Sequence, residues 1–351
     1  ALYIVGDFTD EGKDEDFALA ARILDEEVSR HGIPWTYVPG NHEIMGSKID
    51  TFVKHFGPEK TVKTIGTTRV ITLDSSPYAL GHNFGNFTHL RSELDRAAQD
   101  DSVNGVLVAF HHPTRDFMPN GSSGLNSAFE AELIEKWLAD FSATSGKPIA
   151  LAGAGVGAFH VSQKDGVLHI TNGNSGKKAE SSADWGGFRG WTMLHIDQNA
   201  PKGTKAADWM KVQTRPWVDA GSLKIEAPDV VKRGETIQVD ASFTQALTNE
   251  TPSVIPVRWP VSAYWSGEGI FIGAEADAPA DAEAAFDPST RTMAFLPAAG
   301  EQITLSLAVN GQTATRTFRV IAADVETTDP TPSYVIEEYA AQHPEIGEPT
   351  G

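Results

Sequence analysis

Three short polar motifs stand where apolar runs break off. Gly6-Asp7-Phe8-Thr9-Asp10 follows Leu2-Tyr3-Ile4-Val5, Gly40-Asn41-His42-Glu43 follows Thr36-Tyr37-Val38-Pro39, and His111-His112-Pro113 follows Val106 to Phe110. Asp, Asn and His are hard or borderline metal ligands, and each stands where a buried strand turns into a loop. Active sites of α/β enzymes are built this way, at the carboxyl ends of parallel strands. The two oxygens of Asp7 could bridge two divalent cations. Asn41 offers a weak neutral amide oxygen, and His111 an imidazole. His42, beside Asn41, could protonate a leaving oxygen or hold a phosphoryl oxygen. His112 either contacts substrate or packs, and Arg115 either steers an anionic substrate or is a solvated loop residue. In the loop Asn172-Gly173-Asn174-Ser175-Gly176-Lys177, Lys177 either faces phosphate or stands on a plain surface turn.

The elements that must position these residues alternate. Residues 1–200 read as one α/β domain. Strands are expected over 1–5, 33–38, 69–74, 106–110, 149–152, 167–171 and 191–196. Between them, Phe17, Ala20, Ala21, Leu24 and Val28 fall at helical spacing, as do Leu133, Ile134, Trp137, Leu138 and Phe141. A shorter helix is expected over 90–98. From 219 to 322 the pattern changes to short period-two runs, with Asn310-Gly311 as a hairpin turn signal. That stretch suggests an all-β sandwich of immunoglobulin-like type. Residues 323–351 carry many carboxylates and no Lys or Arg, and read as an acidic flexible tail or linker.

Composition excludes some functions. The chain has 351 residues, no cysteine and a net charge of −19. Disulfide scaffolds and thiolate metal sites are ruled out. A nucleic-acid-binding surface is not expected, since phosphate backbones demand a basic face. No apolar run approaches the length of a membrane span. The chain opens on Ala1-Leu2-Tyr3, without Met, and so reads as a fragment or processed product.

The motifs resemble those of calcineurin-like metallophosphoesterases, a superfamily that includes purple acid phosphatases and cyclic-nucleotide phosphodiesterases. Its motifs run Asp-x-His, Gly-Asp-x-x-Asp, Gly-Asn-His-Glu/Asp, a His before a short loop, and Gly-His-x-His. The resemblance covers about residues 1–198. It implies a four-layer αββα sandwich with a two-metal centre at the loop edge. It further implies that Asp7 bridges both ions, that Asn41 and His111 bind the second, and that His42 is the substrate-facing acid, oriented by Asp10. Two departures stand out. Asp-x-His is absent, so the fold is expected to lack its first strand and the site two ligands. Where Gly-His-x-His is due, the chain reads Gly153-Ala154-Gly155-Val156-Gly157-Ala158-Phe159-His160. One register puts Gly155 and Gly157 at the two His positions; the other puts Ala158 and His160 there. The second leaves His160 as a ligand and is the one favoured here.

The implied activity is hydrolysis of a phosphomonoester or phosphodiester, on a small molecule or a polymer such as a cell-surface polysaccharide. It would use one or two divalent ions (Mn, Fe, Zn or Ca) in a secreted or surface-bound bacterial protein. The alternative is a catalytically impaired phosphoesterase-like scaffold serving as a binding or structural module of a larger extracellular protein.

Overall fold

The computed structural model describes residues 1–119, 121–179 and 181–323. The acidic stretch read as a tail lies outside them, apart from its first residue. The chain divides into two compact units. Among the described residues, the first comprises Ala1–Glu226, Asp240–Trp265 and Leu307–Ala314, and the second takes Ala227–Val239, Ser266–Ser306 and 315–323. The strands expected over 219–322 are therefore distributed over both units.

The first unit is built on a six-stranded sheet. Its strands are β3 (Thr61–Ile65), β4 (Thr68–Thr72), β5 (Gly105–Ala109), β6 (Ile149–Gly153), β7 (His160–Lys164) and β8 (Val167–Thr171), in the order β3-β4-β5-β6-β8-β7. The four central strands run parallel, and the edge strands β3 and β7 are antiparallel to their neighbours. Alternation along β5 explains why the sheet is covered twice: successive side chains point to opposite faces. Val106 and Val108 join Leu90, Leu94, Ile134 and Leu138 of the helices α3 (Gly85–Gln99) and α4 (Ala128–Ser145). Leu107 joins the other face, with Leu168, Ile170, Trp209, Met210, Tyr3 and Leu194.

That second face is met by β1 (Leu2–Val5) paired in parallel with β2 (Trp35–Val38), and by the antiparallel pair β9 (Gly190–Ile196) and β10 (Met210–Pro216). Outside β1 and β2 lie α1 (Asp14–Glu27) and α2 (Ile49–Phe56), sealed by Phe17, Leu24, Tyr37, Phe52 and Phe56. The layers are thus helix, sheet, sheet, helix. Helix α4 is capped at both ends: Ser127 accepts a hydrogen bond from the Glu130 backbone N–H at its start, and Gly146 ends it in left-handed backbone. No described helix is long and apolar enough to cross a membrane.

The second unit contains a four-stranded sheet of Thr236–Gln238, Thr292–Phe295, Ala284–Asp287 and Ile270–Ile272. Phe286, Met293, Phe295 and Phe318 are buried there. The region is strand-rich, as its period-two pattern predicts. Asn310 and Gly311 both take positive φ, as a two-residue hairpin turn of this type requires.

Candidate metal centre

The three motifs meet at one edge of the first unit. Strand β1 ends at Val5 and β2 at Val38, in register with each other, so the two loops leave side by side. Gly40 is required at this spot. A Cβ there would strike the Asp7 carboxylate and come within 2.9 Å of His111 Cε1.

Asp7 holds a left-handed backbone at φ 55°. Its Oδ1 accepts the His42 backbone N–H at 3.1 Å, and its Oδ2 lies 3.1 Å from His111 Nε2. His111 is 1% exposed, and its Nδ1 lies 2.6 Å from the Val5 carbonyl oxygen. A carbonyl only accepts, so Nδ1 carries the proton. In the neutral ring Nε2 then presents a lone pair to an anionic oxygen, and no hydrogen bond of acceptable geometry joins them. Two facing acceptors repel unless a proton or a cation lies between them. Donors about 2.0–2.2 Å from a shared ion stand about 3 Å apart, which is the observed spacing. The backbone carbonyl behind Nδ1 is also the usual partner behind a metal-bound imidazole. The residues present therefore fit a divalent ion at Asp7 and His111. Without one, burial presses the His111 pKa down, but the Asp7 carboxylate outweighs it and holds it above the usual range. Burial raises Asp7, but His111 and His42 together hold it below the usual carboxylate range.

Asn41 precedes the single turn His42–Ile44, is half-buried, and does not cap that turn with its amide. It adjoins Gly40, where an added Cβ would strike Asp7 and approach His111. His42 directs Nδ1 to the Asp10 backbone carbonyl at 2.6 Å, while its Nε2 stands 4.0 Å from Asp7 Oδ2. Asp10 meets His42 through its main chain. Its carboxylate is 95% exposed and 3.8 Å from the ring nitrogen.

Other expected residues lie elsewhere. His160 stacks on Phe117 at 4.2 Å and meets Trp259 edge-on. Among the described residues no three His, Asp or Glu side chains could hold one ion, so His160 does not join Asp7 and His111. Gly155, not His160, stands beside His111. A Cβ on Gly155 would lie 3.1 Å from His111 Nε2 and 3.3 Å from His112 Nδ1. Arg115, expected at substrate, spends its guanidinium on Glu135, with Nε–Oε1 at 2.8 Å and a second bond at 3.1 Å. His112 is buried under Tyr78, stacked at 3.8 Å, and its Nδ1 reaches the Ser123 carbonyl. Burial and the neighbouring His111 push its pKa down to about 4. His112 is thus held between Tyr78 and the Ser123 carbonyl. Lys177 is exposed in the loop after β8.

One residue escaped the sequence reading. Glu43 is fully buried and its carboxylate gathers hydrogen bonds from both motif loops. The available signal was the fourth letter of Gly40-Asn41-His42-Glu43 itself, which had been assigned no role.

The loop-edge Asp–His pair lies within the stretch that comparison with known proteins matches. Residues 1–145 match the family model for calcineurin-like phosphoesterase. A Rhodococcus erythropolis protein named "Probable cyclic nucleotide phosphodiesterase" is 31% identical over 121 residues, covering 32% of this chain and 38% of that protein. The chain thus spans well under half the length of that curated relative. Among solved structures, GAP50, the anchor in the inner membrane complex of Plasmodium, aligns with TM-score 0.38 and 13% identity over 73% of this chain and 78% of that one. Phosphopantetheinyl hydrolase from Mycobacterium tuberculosis aligns with TM-score 0.32 and 14% identity over 49% and 78%.

Proposed function

We propose that this chain is a divalent-metal-dependent hydrolase of phosphoric esters, with Asp7, Asn41 and His111 as ion ligands. The observation that carries this reading is the 3.1 Å approach of Asp7 Oδ2 to His111 Nε2, with Nδ1 tied to a carbonyl. A bound divalent ion neutralises phosphoryl oxygens and makes a water acidic enough to attack at neutral pH. The chain's own groups do the rest. Asp7 fixes the ion-facing oxygen, His111 supplies the buried nitrogen, and the Asp10 carbonyl aims the His42 ring. Protonated at Nε2, His42 can deliver a proton to the departing alkoxide. Oxygen and nitrogen donors admit Mn²⁺, Fe, Zn²⁺ or Ca²⁺. An acidic, cysteine-free chain suits a secreted or surface-bound bacterial protein. An immunoglobulin-like strand-rich region would then serve to place the enzyme.

One observation favours a second reading, a phosphoesterase-like scaffold with impaired chemistry. Gly155 offers no donor at a position facing His111 Nε2. The two readings part on one experiment: Mn²⁺ titration together with hydrolysis of chromogenic phosphomonoesters and phosphodiesters. Bound Mn²⁺, with hydrolysis that Asp7→Asn lowers by more than about 10³-fold, supports the enzyme. Equal rates for wild type and Asp7→Asn reject it, and native folding without Mn²⁺ uptake supports the scaffold.

A further inference from the structure

We propose that Glu43 is a positioning residue that aims the Asp7 carboxylate, without itself touching ion or substrate. The inference rests on the metal-dependent reading above and goes beyond it by assigning the orientation of the ligand to a buried group.

Five donors converge on this one carboxylate. Oε2 accepts the backbone N–H of Asp7 at 2.8 Å and of Gly40 at 2.7 Å. Oε1 accepts the Thr9 N–H at 3.1 Å, the Thr9 hydroxyl at 2.9 Å and the Tyr37 hydroxyl at 2.5 Å. The donors come from both loops. The β1–β2 ladder ends at Val5 and Val38, and Glu43 continues the tie between the two chains beyond it. Each buried N–H on these loops needs an acceptor, and leaving one unmet is costly.

The tie has a directional consequence. Asp7 sits in left-handed backbone, which a residue with a side chain adopts only when its surroundings hold it there. Its N–H is clamped by Glu43, and its Oδ1 is clamped by the N–H of His42, the residue next to Glu43. The ring Glu43–Asp7–His42 closes on itself and leaves Oδ2 facing His111 at 3.1 Å. An apolar residue at 43 could fill the space but could not hold the Asp7 N–H.

The test uses Glu43→Gln, which keeps the shape and turns one acceptor into a donor facing N–H groups. Tyr37→Phe serves as a control, since it removes a donor to the same carboxylate from the core side only. Folding is verified by near-ultraviolet circular dichroism, and Mn²⁺ affinity is read by calorimetry or by the spin-resonance signal of free Mn²⁺. Glu43→Gln is expected to weaken Mn²⁺ by about 10–100-fold, as loss of a group supporting a ligand does. Tyr37→Phe is expected to lower the melting temperature and leave affinity within about 2-fold. Should Glu43→Gln not fold, Glu43→Asp keeps the charge but is too short to reach both loops, and the same loss is expected. Mn²⁺ binding at wild-type strength in the folded variant overturns the proposal, as does equal weakening by Tyr37→Phe.

A crystal structure of the metal-free variant separates this idea from the reading it rests on. Asp7 is expected to leave its left-handed backbone and its carboxylate to swing away from His111. An Asp7 that stays in place overturns the positioning role whether or not the wild type binds Mn²⁺. A wild type that takes up no Mn²⁺ overturns the metal-dependent reading alone.

Discussion

The two sides of the sheet edge differ in what their polar groups do. On the side of β1 and β2, Asp7, His42, Glu43 and His111 are cross-tied, each held by a backbone group or by another member of the set. On the side of β6, β7 and β8, glycine faces the ligand nitrogen. There the charged residues satisfy one another: Glu135 binds Arg115 at 2.8 Å and Lys164 at 2.7 Å. The first side holds its polar groups in fixed directions, and the second has its charges paired with one another. Motif residues of similar type thus carry different meaning according to what neutralises them.

The largest effect should come from the first side. His42→Ala is expected to lower kcat by about 10²–10⁴-fold, the usual worth of a positioned acid, while Mn²⁺ affinity changes by less than about 3-fold. Comparing kcat with Mn²⁺ titration checks it, and a loss that appears only as weaker Mn²⁺ binding would place His42 among the ligands.

A smaller and opposite effect is expected on the second side. Gly155→His should add a donor beside His111 and tighten Mn²⁺ by about 10-fold or more, since a direct ligand counts for more than a supporting group. The same change places a side chain at φ +73°, costing about 1–2 kcal/mol of stability. Calorimetry and thermal melting read both, and unchanged affinity would show that position 155 does not face the ion.

The smallest effect concerns acid stability. Burial raises the Glu135 pKa, but Arg115, Lys164 and Thr114 outweigh it and bring it down to about 2 from 4.5. A carboxylate depressed on folding stabilises above its unfolded pKa and loses that contribution as pH falls through the folded one. Both cations are half in water, which screens the pair, so Glu135→Gln should cost about 1 kcal/mol at pH 6. Its melting temperature should converge with that of wild type towards pH 2, with hydrolysis rates alike within about 2-fold at neutral pH. A rate falling with Glu135→Gln would return Arg115 to the substrate site.

Much of the scaffold was legible in the residues. Strand β8 is where the pattern placed it, over 167–171, and α4 contains all five residues read at helical spacing from Leu133 to Phe141. Helix α2 and strands β3, β7 and β10 were not assigned. β3 and β7 are edge strands with exposed residues, so half-buried alternation is weak in them. Helix α2 is one short amphipathic piece between loops.

The order of motifs along the chain, each after an apolar strand, pointed to one neighbourhood for Asp7 and His111, because parallel strands deliver their carboxyl ends to one edge. Three further points needed tertiary structure. Glu43 turned inward, where four donors from two loops and the Tyr37 hydroxyl of β2 converge on its carboxylate. Arg115 turned outward because Glu135 of α4 lay within reach. Gly155, not His160, came to face His111, because the path of a glycine-rich loop depends on what it packs against and not on the letters it contains.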